Sequence, residues 1–150
     1  MSKNVLFDLD GTLVDSLPGI QSSILYAINN RGYEIDENSD IKSHIGPPMQ
    51  EIFSGFLPKL DDELIDEVVA IYREDYQERG LLKTTLFDDI LPVLSGLHES
   101  GYKLYIATSK RQQFAEDIIR NLNISEYFEA IYGTPSDGAL DNKADLLRYI

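Results

Sequence analysis

Three short, nearly continuous apolar runs punctuate the chain, and each of them stops at a polar residue or at glycine. The runs are Val5–Phe7, Leu104–Ala107 and Glu129–Tyr132. They are too short for helices, and near-continuous hydrophobicity in place of strict alternation is typical of parallel strands covered on both faces. The sequence therefore predicts an open, parallel α/β sheet, in which ligands bind beyond the carboxyl ends of the strands.

Amphipathic segments between these runs predict helices. The expected helices run from a Ser16 cap to Gly32 and over about 49–56, 63–79, 90–99 and 112–122. Residues 16–85 contain no strand candidate and too much helix for one crossover connection, which predicts a helical insert after the first strand. The predicted domains are an α/β core over residues 1–15 and 86–150 and a helical domain over residues 16–85.

Composition excludes several classes of function. The 150 residues carry 26 acidic and 13 basic side chains, a net charge of −13, so attraction to a phosphate backbone is not available for nucleic-acid binding. The absence of cysteine excludes disulfides, thiolate metal sites and cysteine nucleophiles. No apolar run approaches the ~20 residues that span a bilayer, and the N-terminus lacks a signal-peptide pattern. We therefore expect a cytoplasmic protein without nucleic-acid or membrane partners.

The most informative chemistry lies directly after the first apolar run, where Asp8 and Asp10 flank Leu9 and are followed by Gly11. Two carboxylates this close suit Mg²⁺, which offsets their mutual repulsion. A carboxylate can also act as a nucleophile and form an aspartyl-phosphate. The alternative is a polar Asp-Gly turn in which Asp10 bonds to its own backbone.

The string Phe7–Ser16, FDLDGTLVDS, resembles the first motif of the haloacid dehalogenase superfamily. The resemblance implies a Rossmann-like core and a Mg²⁺-dependent phosphatase that acts through an aspartyl-phosphate. It implies that Asp8 is the nucleophile and that Asp10 is the general acid and base, with both as metal ligands. Asp15 and Ser16 are interpreted as caps of the following helix.

The second superfamily motif is a Ser or Thr at the end of a hydrophobic strand, and Thr108 matches it. The resemblance implies that Thr108 and the neighbouring Ser109 bind a phosphoryl oxygen. A helix cap or a turn is the alternative for this Thr-Ser pair. Lys110 is interpreted as a solvated surface lysine.

The third motif is a lysine near the start of a late helix, and Lys143 matches it. The resemblance implies that this lysine neutralises phosphoryl charge and keeps the nucleophilic carboxylate ionised, although a lone helical lysine is ordinarily a surface residue. The fourth, a strand ending in acidic metal ligands, has no match after Lys143. Asp137 and Asp141 precede the lysine in a turn-rich segment and are not favoured as substitutes. We therefore expect a C-terminally truncated fragment with impaired or no activity of its own.

The helical insert resembles the type C1 cap of the phosphoglycolate phosphatase and β-phosphoglucomutase branch. His44 and Gly46 lie in a segment similar to the substrate-specificity loop of that cap, which implies that they contact a small phosphorylated metabolite. The segment His44–Pro48 contains no Arg or Lys, which disfavours a phosphomutase that must hold two phosphates. Phosphatase, phosphomutase and an inactive fragment that still binds phosphate or metal remain the three hypotheses, and the oligomeric state is open.

Overall fold

The structure, a computed structural model, describes residues 3–35, 39–135 and 143–150. The chain divides into two compact units. The α/β unit comprises Met1–Ser16 and Thr84–Ile150, and the helical unit comprises Leu17–Lys83. The first border, after Ser16, lies one residue later than the sequence predicted. The second border, before Thr84, lies two residues earlier than predicted.

The α/β unit contains two sheets. The strands are β1 (Lys3–Phe7), β2 (Val14–Asp15), β3 (Thr85–Leu86), β4 (Tyr102–Arg111) and β5 (Phe128–Thr134). The main sheet has the order β1-β4-β5 and is parallel throughout, with Val5 opposite Leu104 and Ile106 opposite Ile131. The predicted parallel α/β sheet is therefore confirmed. The antiparallel pair β2–β3 was not predicted, because strands of two residues are too short to show a periodic pattern.

Seven α-helices complete the described part of the chain. They are α1 (Leu17–Asn30), α2 (Ile41–His44), α3 (Met49–Phe56), α4 (Asp62–Asp75), α5 (Ile90–Glu99), α6 (Gln112–Asn121) and α7 (Lys143–Tyr149). Within the described ranges, none of these helices has the length and hydropathy that crossing a membrane requires. The helices α5, α6 and α7 all pack on the main sheet, and Leu94, Ile118 and Leu146 are buried there.

The helical unit is built on the packing of α1 against α4 and the segment that follows it. Helix α4 ends at Asp75, whereas the sequence predicted a helix as far as residue 79. The chain continues as a π-helix over Tyr76–Gly80. Here Gly80 approaches Gly19 so closely that a Cβ atom on Gly19 would collide with the carbonyl oxygen of Gly80. Close approach of the two backbones thus requires glycine at position 19, whereas a Cβ atom on Gly80 would mainly meet the side chains of Tyr76 and Ser23.

Candidate active site

Asp8 and Asp10 directly follow the carboxyl end of β1 and lie in a tight turn. The backbone of Leu13 donates to the carbonyl of Leu9 at 2.9 Å, and Gly11 adopts a φ of +76°, which glycine tolerates without strain. Leu9 and Leu13 are completely buried. The alternation of buried leucines with polar residues therefore anchors the turn in the core and leaves the two carboxylates at the end of the sheet.

Asp8 forms an ion pair with Lys143, the first residue of α7. The distance from Nζ to Oδ1 is 2.7 Å, and the side chains are 41% and 40% exposed. The two residues are 135 positions apart in sequence, and the fold brings together the two side chains that the resemblance assigned to nucleophile and phosphoryl-binding lysine. The pair is open enough to solvent for a ligand to reach it.

Asp10 has two partners on a single oxygen. The ammonium of Lys110 lies 3.2 Å from Oδ1, and the hydroxyl of Ser16 donates to the same atom at 2.5 Å. Only 9% of the Lys110 side chain is exposed. The interpretation of Lys110 as a solvated surface lysine is therefore wrong, and Ser16 has a role at Asp10 that the expected helix cap did not include. The one sequence signal for Lys110 was its position two residues after Thr108 at a strand end.

Thr108 lies buried near the carboxyl end of β4, with 2% of its surface exposed. Its Oγ1 accepts a hydrogen bond from the backbone N–H of Lys110 at 3.1 Å. Because that bond uses an oxygen lone pair, the hydroxyl proton remains available to a ligand. Ser109 is exposed, and its carbonyl accepts from the hydroxyl of Thr134 at 3.3 Å.

His44 and Gly46 belong to the helical unit. His44 is exposed, and its Nδ1 lies 2.9 Å from the carbonyl oxygen of Asp40, one helical turn earlier. Its ring packs on Phe56 with the centroids 4.8 Å apart. These contacts are all within the helical unit, so a substrate-binding role for His44 and Gly46 stays a prediction.

The donor set at the end of β1 fits a hard divalent cation. Lys143 contacts Oδ1 of Asp8, and both Lys110 and Ser16 contact Oδ1 of Asp10. Each of the two carboxylates also has a second oxygen, Oδ2, that can bind a metal ion. Mg²⁺ typically binds through one or two carboxylates and completes its shell with water and substrate phosphate. Across residues 3–35, 39–135 and 143–150 no group of three or more His, Asp or Glu side chains is placed to hold a metal. Asp137 and Asp141 lie outside the described residues.

The sequence profile of the family described as "Haloacid dehalogenase-like hydrolase" matches residues 5–137. The tyrosine-protein kinase PtkA of Mycobacterium tuberculosis is 41% identical over 97% of this chain and 49% of its own length. A 5'-nucleotidase of Pseudomonas aeruginosa is 37% identical over 98% of this chain and 66% of its length. A phosphoglycolate phosphatase of Aquifex aeolicus is 29% identical over 89% of this chain and 62% of its length.

Among solved structures, a haloacid dehalogenase-like family hydrolase from Streptococcus pneumoniae superimposes with a TM-score of 0.86 at 35% identity. That match covers 99% of this chain and 68% of the other. The chain thus spans between about half and two thirds of the length of the curated relatives named above, and it matches them over nearly all of its own length.

Proposed function

This chain belongs to the haloacid dehalogenase-like hydrolase family, and we propose that it hydrolyses phosphomonoesters of small metabolites through an aspartyl-phosphate on Asp8. The observation that carries the proposal is the 2.7 Å pairing of Asp8 with Lys143. Asp8 directly follows β1, and Thr108 lies near the same end of the neighbouring parallel strand β4. A nucleophilic carboxylate, a cation and a buried hydroxyl donor are the groups that transfer of a phosphoryl group requires.

The proposed reaction has two steps. An Asp8 oxygen attacks phosphorus and the bond to the ester oxygen breaks, while Asp10 donates a proton to that departing oxygen. Asp10 then takes a proton from water, whose oxygen attacks phosphorus and releases Asp8 and inorganic phosphate. Lys143 and the Thr108 hydroxyl stabilise charge on the transferring phosphoryl group.

Asp8 and Asp10 would hold Mg²⁺ in this proposal. When bound, the ion offsets repulsion between the carboxylates and the phosphoryl oxygens. Because the described residues include no group of three or more His, Asp or Glu side chains around such an ion, we also propose that turnover by these 150 residues is slow.

We propose that the helical unit is the cap that selects the substrate, with His44 and Gly46 in contact with it. The segment His44–Pro48 contains no Arg or Lys to hold a second phosphate, so a phosphomutase is the weaker alternative. Phosphoglycolate and nucleoside monophosphates are the first substrates to test, since relatives are named for phosphoglycolate and 5'-nucleotide hydrolysis.

Phosphotransfer to tyrosine is a second candidate activity. It is favoured by one observation, the 41% identity to proteins named tyrosine-protein kinase PtkA. The two activities differ in the fate of the phosphoryl group, because a kinase consumes ATP and leaves phosphate on a tyrosine. Incubation with labelled ATP and a tyrosine-containing peptide distinguishes them.

The deciding experiment measures p-nitrophenyl phosphate hydrolysis with Mg²⁺ for the unaltered chain, Asp8→Asn and the control Asp66→Asn on the exposed face of α4. We expect detectable turnover that Asp8→Asn lowers by at least ~10³-fold, because the nucleophile is removed, and that Asp66→Asn preserves. Phosphate binding without turnover in the unaltered chain would overturn the phosphatase proposal and leave the binding-only alternative.

A further inference from the structure

The segment that carries Thr108 and Lys110 is a bulge in the main sheet. Ala107 pairs with Tyr132, but the next pairing joins Arg111 to Thr134. Three residues of β4 therefore lie opposite a single residue of β5, and the regular ladder is interrupted there. A bulge of this kind aims side chains away from the sheet, and something other than the ladder must hold it in place.

The side-chain amide of Gln112 replaces part of the interrupted ladder. Its Nε2 donates to the carbonyl of Ile131 at 2.9 Å, and its Oε1 accepts from the N–H of Gly133 at 2.6 Å. A primary amide offers a donor and an acceptor side by side, as a peptide group does. Gln112 thus ties the end of the bulge to the backbone of β5 on both sides of residue 132.

Gly133 is the position that allows this contact. A Cβ atom there would lie 2.7 Å from the Cα atom of Gln112 and 2.8 Å from the carbonyl oxygen of Lys110. Both neighbours are backbone atoms, so they cannot move aside without moving the bulge. The hydroxyl of Thr134 adds a third tie, through its 3.3 Å bond to the carbonyl of Ser109.

We propose that Gln112 is a positioning residue for the phosphoryl-transfer site and acts through the bulge Thr108–Lys110. The backbone N–H of Lys110 bonds to Thr108 Oγ1, so a shift of the bulge displaces the hydroxyl and the Asp10-paired ammonium together. Gln112 itself touches no reacting group. The inference rests on the proposed phosphatase function.

Gln112→Met tests the proposal, because methionine keeps the length of the side chain and cannot replace the amide's two bonds to the backbone of β5. The matched control is Gln113→Met, at the exposed neighbour of the same residue type. The first readout is amide hydrogen exchange at Lys110, with Leu104, a completely buried residue in the first half of β4, as the reference for global unfolding. The second is steady-state hydrolysis of p-nitrophenyl phosphate with Mg²⁺.

We expect Gln112→Met to speed exchange at Lys110 at least ~10-fold without changing exchange at Leu104. We expect kcat to fall on the order of 10-fold with KM within about 2-fold, since the displaced groups act on the transition state. Gln113→Met should match the unaltered chain in both readouts. Unchanged exchange at Lys110, or a loss of activity that follows exchange at Leu104, overturns the proposal.

Gly133→Ala perturbs the same contact from β5 and should reproduce both effects. Its control is Gly96→Ala in α5, where an added Cβ meets nothing within 4 Å. A Gly133→Ala variant that behaves like Gly96→Ala would overturn the proposal. If the unaltered chain shows no turnover, the phosphatase proposal fails, and exchange at Lys110 alone then decides whether Gln112 holds the bulge.

Discussion

The two units use their charged and small residues in different ways. In the α/β unit, two ion pairs join residues 100 or more positions apart, Asp8 with Lys143 and Asp10 with Lys110, in addition to local pairs such as Arg148 with Asp145. In the helical unit, the buried carboxylate of Asp75 pairs with Arg79, one helical turn further along. The α/β unit brings distant charges together beyond the end of β1, whereas the helical unit places the ion-pair partner of a buried carboxylate one helical turn away.

This difference separates groups that serve chemistry from groups that serve packing. An ion pair whose side chains are about 40% exposed contributes little to stability, so the convergence of Asp8 and Lys143 is better explained by a reaction. The Gly19–Gly80 contact has the opposite character, because it carries no charge and sets the distance between two helical segments. We therefore expect substitutions around Asp8 and Lys143 in the α/β unit to change activity, and substitutions at the Gly19–Gly80 contact in the helical unit to change stability.

After Asp8→Asn, Lys143→Met should produce the largest effect on activity. We expect kcat/KM to fall by about 10²–10³-fold, because the variant loses a cation that stabilises charge on the phosphoryl group. The free energy of unfolding should change by less than about 1 kcal/mol. Arg148→Met, at an exposed i,i+3 pair on the same helix, is the control. A large loss of stability in Lys143→Met alone would remove the distinction between the units.

Gly19→Ala should be the most damaging substitution for the helical unit. The added methyl group collides with the Gly80 backbone, and overpacking of this kind costs about 1–3 kcal/mol. Gly55→Ala in α3 meets open space and should gain about 0.5–1 kcal/mol from helix propensity. Urea unfolding followed by circular dichroism measures both. Equal stability of the two variants would contradict the close packing of α1.

Lys110→Met should lower kcat on the order of 10-fold, because it removes the cation paired with Asp10 and leaves the nucleophile in place. The control is Lys103→Met, at an exposed lysine on the same strand. Initial rates at saturating p-nitrophenyl phosphate are sufficient for the comparison. An unaffected kcat in Lys110→Met would show that its pairing with Asp10 has no role in turnover.

Ser16→Ala should have the smallest effect, a fall in kcat of about 2–5-fold. It removes one of the two contacts on Oδ1 of Asp10, and the Lys110 pair remains to hold the carboxylate in place. Ser54→Ala, at an exposed position in α3, serves as the reference. If Ser16→Ala is slower than Lys110→Met, the hydroxyl and not the ammonium is the main support of Asp10.

Local patterns predicted several elements closely. The helices α3 and α5 have the bounds that apolar spacing predicted, and β1 contains the predicted run Val5–Phe7. The end of the fourth helix was predicted four residues too late, because apolar spacing does not distinguish an α-helix from the π-helix that follows Asp75. Helix α2, a single turn, was not predicted because four residues carry too little periodicity.

The primary structure was sufficient for the parallel sheet, because apolar runs and turn residues are local properties. It connected Lys143 with Asp8 only through the resemblance to a family whose motifs both residues match. It could not reveal that Lys110 is nearly buried against Asp10, or that the Gln112 amide stands in for missing ladder bonds. Those contacts depend on where β4 leaves its register with β5. A register shift is the sum of many long-range contacts, and no single segment of the chain encodes it.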